Sequence, residues 1–252
     1  YIYHLLANLR GAAPDDWRFT ALVGAGNPHR FDGVEVRPAR FSTVSPLRRI
    51  AWEQFVQPWE LGAFDLVHAL AFVSPLVLRR PSVVTVYDLS FVHYPQVLSP
   101  ARRWYLRLFT GLSCRRARRV IAISHSTARD VHETLGIPAE RIHVVPCPVD
   151  RTAFAFDAPG RAEVRGALGW QDCIVGVYAG KFGGLYHREL AYRAFARAVR
   201  YYGSRARMLV LTAEPGTEVR QGLETAGVPR EQMHVCRVAH GDMPRWLSAA
   251  DY

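Results

Sequence analysis

The stretch 118–150, RRVIAISHSTARDVHETLGIPAERIHVVPCPVD, decides how the chain folds. Arg119–Ile123 is a short apolar run of the kind found in strands buried on both faces. Ser124-His125-Ser126-Thr127 then opens a helix running through Leu135, with Ser126 and the nearby Asp130 forming an N-cap environment. A turn over Ile137–Arg141 leads to a second strand, Ile142–Val145, which Pro146-Cys147-Pro148 stops. Strand, helix and strand in this order predict a parallel pair joined by a helical crossover. The proline-rich exit places a domain boundary near Asp150, with Arg151–Gly160 as a linker.

The same alternation extends in both directions. Upstream lie a helix at Tyr1–Leu9, strands at Phe19–Val23 and Val34–Pro38, a helix around Pro46–Trp59, and strands at Leu66–Ala69 and Val83–Val86. Downstream the pattern restarts with a strand at Cys173–Tyr178, a glycine loop at Gly180–Gly184 and a helix at His187–Tyr202. A strand at Met208–Leu211, a helix at Glu218–Ala226, a strand at His234–Val238 and a helix at Met243–Ala250 follow. The expectation is an α/β chain of two Rossmann-like, doubly wound domains, residues 1–150 and 151–252, each incomplete.

Of the 252 residues, 49% are hydrophobic and 21% charged, which excludes disorder for most of the chain. The apolar runs fall far short of the roughly 20 residues that span a bilayer. Four scattered cysteines show no metal-ligand spacing and read as reduced, cytosolic thiols. Lys181 is the single lysine among 32 basic residues, a composition pointing to a GC-rich bacterial genome. The net charge of +10 is concentrated between Leu89 and Arg129, a stretch without Asp or Glu. Within it, 101–117 reads as an amphipathic helix with apolar Ala101, Trp104, Tyr105, Leu108, Phe109 and Leu112 on one side. Arg102, Arg103, Arg107, Arg115 and Arg116 lie on the other. Two readings stand: a solvated face, or peripheral contact with anionic lipid at the inner face of a membrane. No motif points to specific nucleic-acid recognition.

Several stretches together resemble the family 4 retaining glycosyltransferases of GT-B architecture: RIAWEQFVQP, FDLVHALAFVSPL, VVTVYDLSFVHYPQVLS, the 118–150 segment and, more loosely, VGVYAGKFGG. The resemblance implies transfer of a sugar from a nucleotide-activated donor to a carbohydrate or lipid-linked acceptor. The first domain would serve the acceptor and the second the donor, without an obligatory metal or other cofactor. Backbone N–H groups in a glycine-rich loop at a helix start, with a cation, neutralise a departing diphosphate. Gly180-Lys181-Phe182-Gly183-Gly184 sits between a strand and a helix, where such a loop belongs. Its alternative is a tight turn with an exposed lysine.

Family members carry an arginine after the first loop glycine and a lysine several residues on. Here Lys181 takes the first place, and Arg188, in the Tyr186-His187-Arg188 stretch, is the substitute for the second. Where members have His-Asp after a first-domain strand, this chain has Tyr87-Asp88: Tyr87 is a positioning group, and Asp88 either orients a sugar hydroxyl or caps the next turn. His93 reads as the alternative imidazole or as a surface or packing residue, and His125 as a hydrogen-bond donor to a ligand phosphate or as an exposed helix-start residue. Glu214 is expected to face the donor, and Val238 to hold the base through its backbone. Related chains begin with an earlier strand and glycine loop and continue past Tyr252, so the resemblance implies a fragment that is inactive and poorly stable alone. Two rivals remain open: a GT-B-like sugar-nucleotide epimerase, and a noncatalytic basic protein that binds membrane or nucleic acid.

Overall fold

The computed structural model describes residues 1–40, 42–182 and 186–252. The chain divides into two compact units, Tyr1–Pro148 and Val149–Tyr252.

In the first unit, α1 (Ile2–Ala12) precedes β1 (Phe19–Val23) and β2 (Val34–Pro38), a parallel pair in which Ala21 faces Val36. Leu6, Ala21 and Val34 form its small core. The helix expected over Pro46–Trp59 is instead α2 (Pro46–Ala51), a π turn at Trp52–Val56 and α3 (Gln57–Glu60). Pro58, which has no N–H to donate, follows the widened turn and breaks the regular ladder.

β3 (Val67–Ala69), β4 (Ser82–Val86), β5 (Arg119–Ala122) and β6 (Ile142–Val144) form a four-stranded parallel sheet in chain order. Val84 pairs with Val120, and Val120 with Ile142. The short α4 (Ser90–His93), α5 (Pro100–Arg116) and α6 (His125–Leu135) complete this part. Val84, Val86, Val120, Cys114, Val131 and Leu135 pack together in its core.

At α6 and α5 the structure differs from the sequence expectation. The cap of α6 is Ser124, whose Oγ accepts the Thr127 N–H at 3.0 Å; Ser126 lies within the first turn. On α5 the buried side is Thr110, Gly111, Ser113 and Cys114, while Trp104 and Leu108 of the expected apolar stripe are exposed. Small residues let the helix approach closely: Ser113 Oγ takes the Ser74 N–H at 3.0 Å. Arg141 closes the other end of α5, donating to the carbonyls of Cys114 (3.0 Å), Arg115 (2.9 Å) and Ala117. A cation at that terminus meets the negative end of the helix dipole.

The second unit begins with α7 (Ala158–Leu168), where sequence reasoning placed the end of a linker. Then come β7 (Ile174–Ala179), α8 (Arg188–Tyr202), β8 (Ala206–Leu211), α9 (Gly216–Thr225), β9 (Met233–Cys236) and α10 (Met243–Ser248). The strands are parallel in the order β7-β8-β9. β8 shows why both faces need helices. Met208 and Val210 pack with Phe195, Val199, Val219 and Leu223 of α8 and α9. The alternate residues Leu209 and Leu211 pack with Val164 of α7 and with Ala249. α7 covers that second face together with Trp170 and the segment around α10.

Buried Arg165 ties α7 down, donating to the carbonyls of Ala249 (2.9 Å), Gln171 (3.2 Å) and Cys173 (3.0 Å) and to Asp251 Oδ2 at 2.6 Å. Arg161 binds the other Asp251 oxygen, and the Val175 N–H donates to Asp251 Oδ2 at 2.9 Å.

Candidate functional site

In each unit the residues singled out by sequence lie just beyond the carboxyl ends of parallel strands, the edge at which open α/β sheets bind ligands. In the second unit Gly180 follows β7 with φ at +151°, a conformation that favours glycine. Its N–H donates to the Leu211 carbonyl at 2.9 Å, carrying the β7–β8 ladder one residue further. Lys181 comes next and is exposed, whereas Phe182 turns back into the core. Gly183 and Gly184 lie outside the described residues.

Arg188 opens α8, its guanidinium exposed and 3.8 Å from the Glu189 carboxylate. Among the described residues no side chain caps the first turn of α8, and the His187 carbonyl accepts the Leu190 N–H at 2.9 Å. Beyond β8, Thr212 N–H donates to the Cys236 carbonyl at 2.9 Å. Its Oγ1 accepts the Glu214 N–H at 3.2 Å, which folds half-buried Glu214 onto this edge. Val238, beyond β9, packs its side chain against the core beside Met243 and Trp246, so a ligand there would meet its backbone. Gly180 and Lys181 after β7, Glu214 after β8 and Val238 after β9 thus lie along one edge of one sheet, with Arg188 as the first residue of α8.

In the first unit, Tyr87 follows β4. Its hydroxyl donates to the Leu70 carbonyl at 2.9 Å, and its own carbonyl accepts from Thr127 Oγ1 at 3.0 Å. Burial, then the neighbouring Tyr1 and Cys147, push its pKa up to about 12. Its proton is therefore held, and the residue is fixed in place rather than poised for proton transfer. Asp88 Oδ1 accepts the Ser90 N–H at 2.7 Å, capping the turn into α4. His93 Nε2 lies 3.2 Å from Asp130 Oδ2, which links α4 to α6. His125, at the start of α6, is exposed.

Sequence reasoning passed over His68. Its Nε2 lies 2.8 Å from Thr85 Oγ1 on the neighbouring strand, and partial burial of the ring lowers its pKa. The signal was the alternation in β3, where His68 stands out of phase with Val67.

The model of Glycosyltransferase Family 4 matches residues 3–153 of the chain. No curated protein sequence matches it. Among solved structures, HepE of Anabaena in complex with UDP-glucose is 19% identical, with a TM-score of 0.62. The match covers 86% of this chain and 58% of HepE, so this chain spans under two thirds of that protein's length. Sucrose-phosphate synthase from Thermosynechococcus elongatus is 16% identical over 100% of this chain and 67% of its own, with a TM-score of 0.73. WaaG, a glycosyltransferase involved in lipopolysaccharide biosynthesis, is 15% identical over 99% and 68%, with a TM-score of 0.67. These likenesses carry the fold. The family match spans more than half of the chain, and the chain belongs to Glycosyltransferase Family 4.

Proposed function

We propose that this chain contributes to glycosyl transfer, with retention, from a nucleotide-activated sugar to a carbohydrate or lipid-linked acceptor. The second unit holds the donor and the first the acceptor. The observation that carries the reading is the placement of Gly180 and exposed Lys181 directly after β7, ahead of α8, whose start has no side-chain cap. Such a placement suits a departing diphosphate. Family membership and the UDP-glucose bound by HepE support it. On this reading Lys181 and the amides carry the charge of the leaving group without an obligatory metal, and Arg188 is the second cation. Glu214 and the Val238 backbone meet the donor, and Tyr87 and Asp88 shape the acceptor side as positioning groups.

Because Lys181 is the single lysine, a lysine-selective acylating reagent reads it directly. UDP or GDP is expected to slow acylation of Lys181 several-fold. Protection by neither nucleotide would contradict a donor site at this edge.

One observation favours peripheral membrane contact as well. The exposed face of α5 carries Trp104, 65% accessible, among Arg102, Arg103 and Arg107, with Arg115 and Arg116 at its end. Glu53 of the π turn lies beside Tyr105 of α5, and burial together with that carboxylate raises the Tyr105 pKa to about 12. Phe55 and Trp59, 75% and 85% accessible, extend from this adjoining segment. Aromatic rings among arginines suit an anionic bilayer surface. No helix among the described residues is long and apolar enough to cross a membrane.

A further inference from the structure

The donor loop is held by residues that a nucleotide would not touch. Tyr178, in β7, donates its hydroxyl proton to the Lys181 carbonyl at 2.7 Å. Its ring lies 4.3 Å from that of Phe182, and Phe182 stacks on Tyr192 of α8 at 5.5 Å with the planes 23° apart. The ladder rests on α9. A β-carbon at Gly222 would lie 2.6 Å from Tyr192 Cζ, so only glycine lets the ring settle there.

Three successive residues are thereby pinned through different groups. Gly180 is held by its N–H to Leu211, Lys181 by its carbonyl to Tyr178, and Phe182 by its buried ring. Among the described residues the Lys181 side chain is left exposed. Preorganisation of this kind lowers the cost of ordering a loop around an anion.

We infer that Tyr178 is a positioning residue for the diphosphate grip, acting through the Lys181 carbonyl, and that the Phe182–Tyr192–Gly222 ladder supports it. The inference rests on the donor reading of the Lys181 edge. Its content is separate: the loop geometry, and with it the affinity for the diphosphate, is set from the core side. Tyr178→Phe keeps the ring and deletes the hydroxyl. Gly222→Ala keeps the hydroxyl and displaces the base of the ladder.

The test combines hydrogen exchange with UDP and GDP titration of the full chain, using wild type, Tyr178→Phe, Gly222→Ala and Lys181→Ala. Tyr178→Phe is expected to speed exchange in the peptide containing Lys181, leave β8 peptides unchanged, and weaken nucleotide binding about fivefold, as losing one hydrogen bond implies. Gly222→Ala is expected to shift the same peptide without removing any loop group. Lys181→Ala is expected to weaken binding without speeding exchange. If wild type binds and Lys181→Ala does not, yet Tyr178→Phe binds like wild type, the positioning role is overturned and the donor site stands. If wild type binds neither nucleotide, the donor reading itself fails, and this inference with it.

Discussion

At the residue scale, the chemistry rests on a few side chains whose surroundings differ sharply. Lys181 stands out in the sequence as a lone lysine in a glycine loop between a strand and a helix, and the structure places it, exposed, directly beyond β7. Its support was not legible, since a tyrosine three residues earlier acquires meaning only when the loop folds back over it. Asp251 likewise has no sequence signature, although it anchors two arginines. Burial raises its pKa, but the Val175 N–H, Arg161 and Arg165 outweigh that and hold it below the usual carboxylate range. A lowered folded pKa contributes stability that is present above the unfolded carboxylate value and is lost as pH falls through the folded one. Thermal melts from pH 7 to pH 3 are expected to show that acid-dependent loss in wild type, and a flatter profile in Asp251→Asn. Arg165→Ala leaves three carbonyls without this donor and Asp251 with only Arg161 and the Val175 N–H, and a cost of about 3 kcal/mol is expected in urea unfolding.

At the scale of elements, strands were read within a residue or two because their apolar runs are short and bounded. Helices were read where the stripe was apolar and missed where it was not. The segment 158–168 mixes Gly160, Arg161, Glu163 and Gly166, which hid its period. Its start was nevertheless written in Asp157, whose Oδ1 accepts the Gly160 N–H at 2.9 Å, followed by a proline in the first turn. On α5 the buried side is made of Thr, Gly, Ser and Cys, so the visible apolar pattern pointed to the wrong face. The cap of α6 offers a direct check, because two serines sit two residues apart. Ser124→Ala is expected to destabilise the first unit by about 1 kcal/mol, and Ser126→Ala by no more than a few tenths, in denaturant unfolding. Equal costs would put the cap elsewhere.

At the scale of the whole molecule, the alternation of strands and helices pointed to two α/β units, and the structure gives the first a two-stranded and a four-stranded parallel sheet and the second a three-stranded one, each with its strands in chain order. Local pattern suffices for that, since within each sheet every strand lies beside the next in the chain. Surface use is less legible: charge clustering showed where arginines lie, but only exposure showed that Trp104, Phe55 and Trp59 share the surface with them. Binding to vesicles containing phosphatidylglycerol should weaken about a hundredfold when Arg102, Arg103 and Arg107 are all replaced by glutamine, at about 1 kcal/mol each. Equal binding to neutral vesicles would remove the electrostatic account. The donor edge is the central claim, and calorimetric titration of wild type and Lys181→Ala with UDP and GDP tests it most directly. Micromolar binding of one nucleotide is expected, with a loss of at least about 1.5 kcal/mol in the variant, as for a hydrogen bond to a charged group. Unchanged affinity in Lys181→Ala, or no binding of either nucleotide, would contradict it.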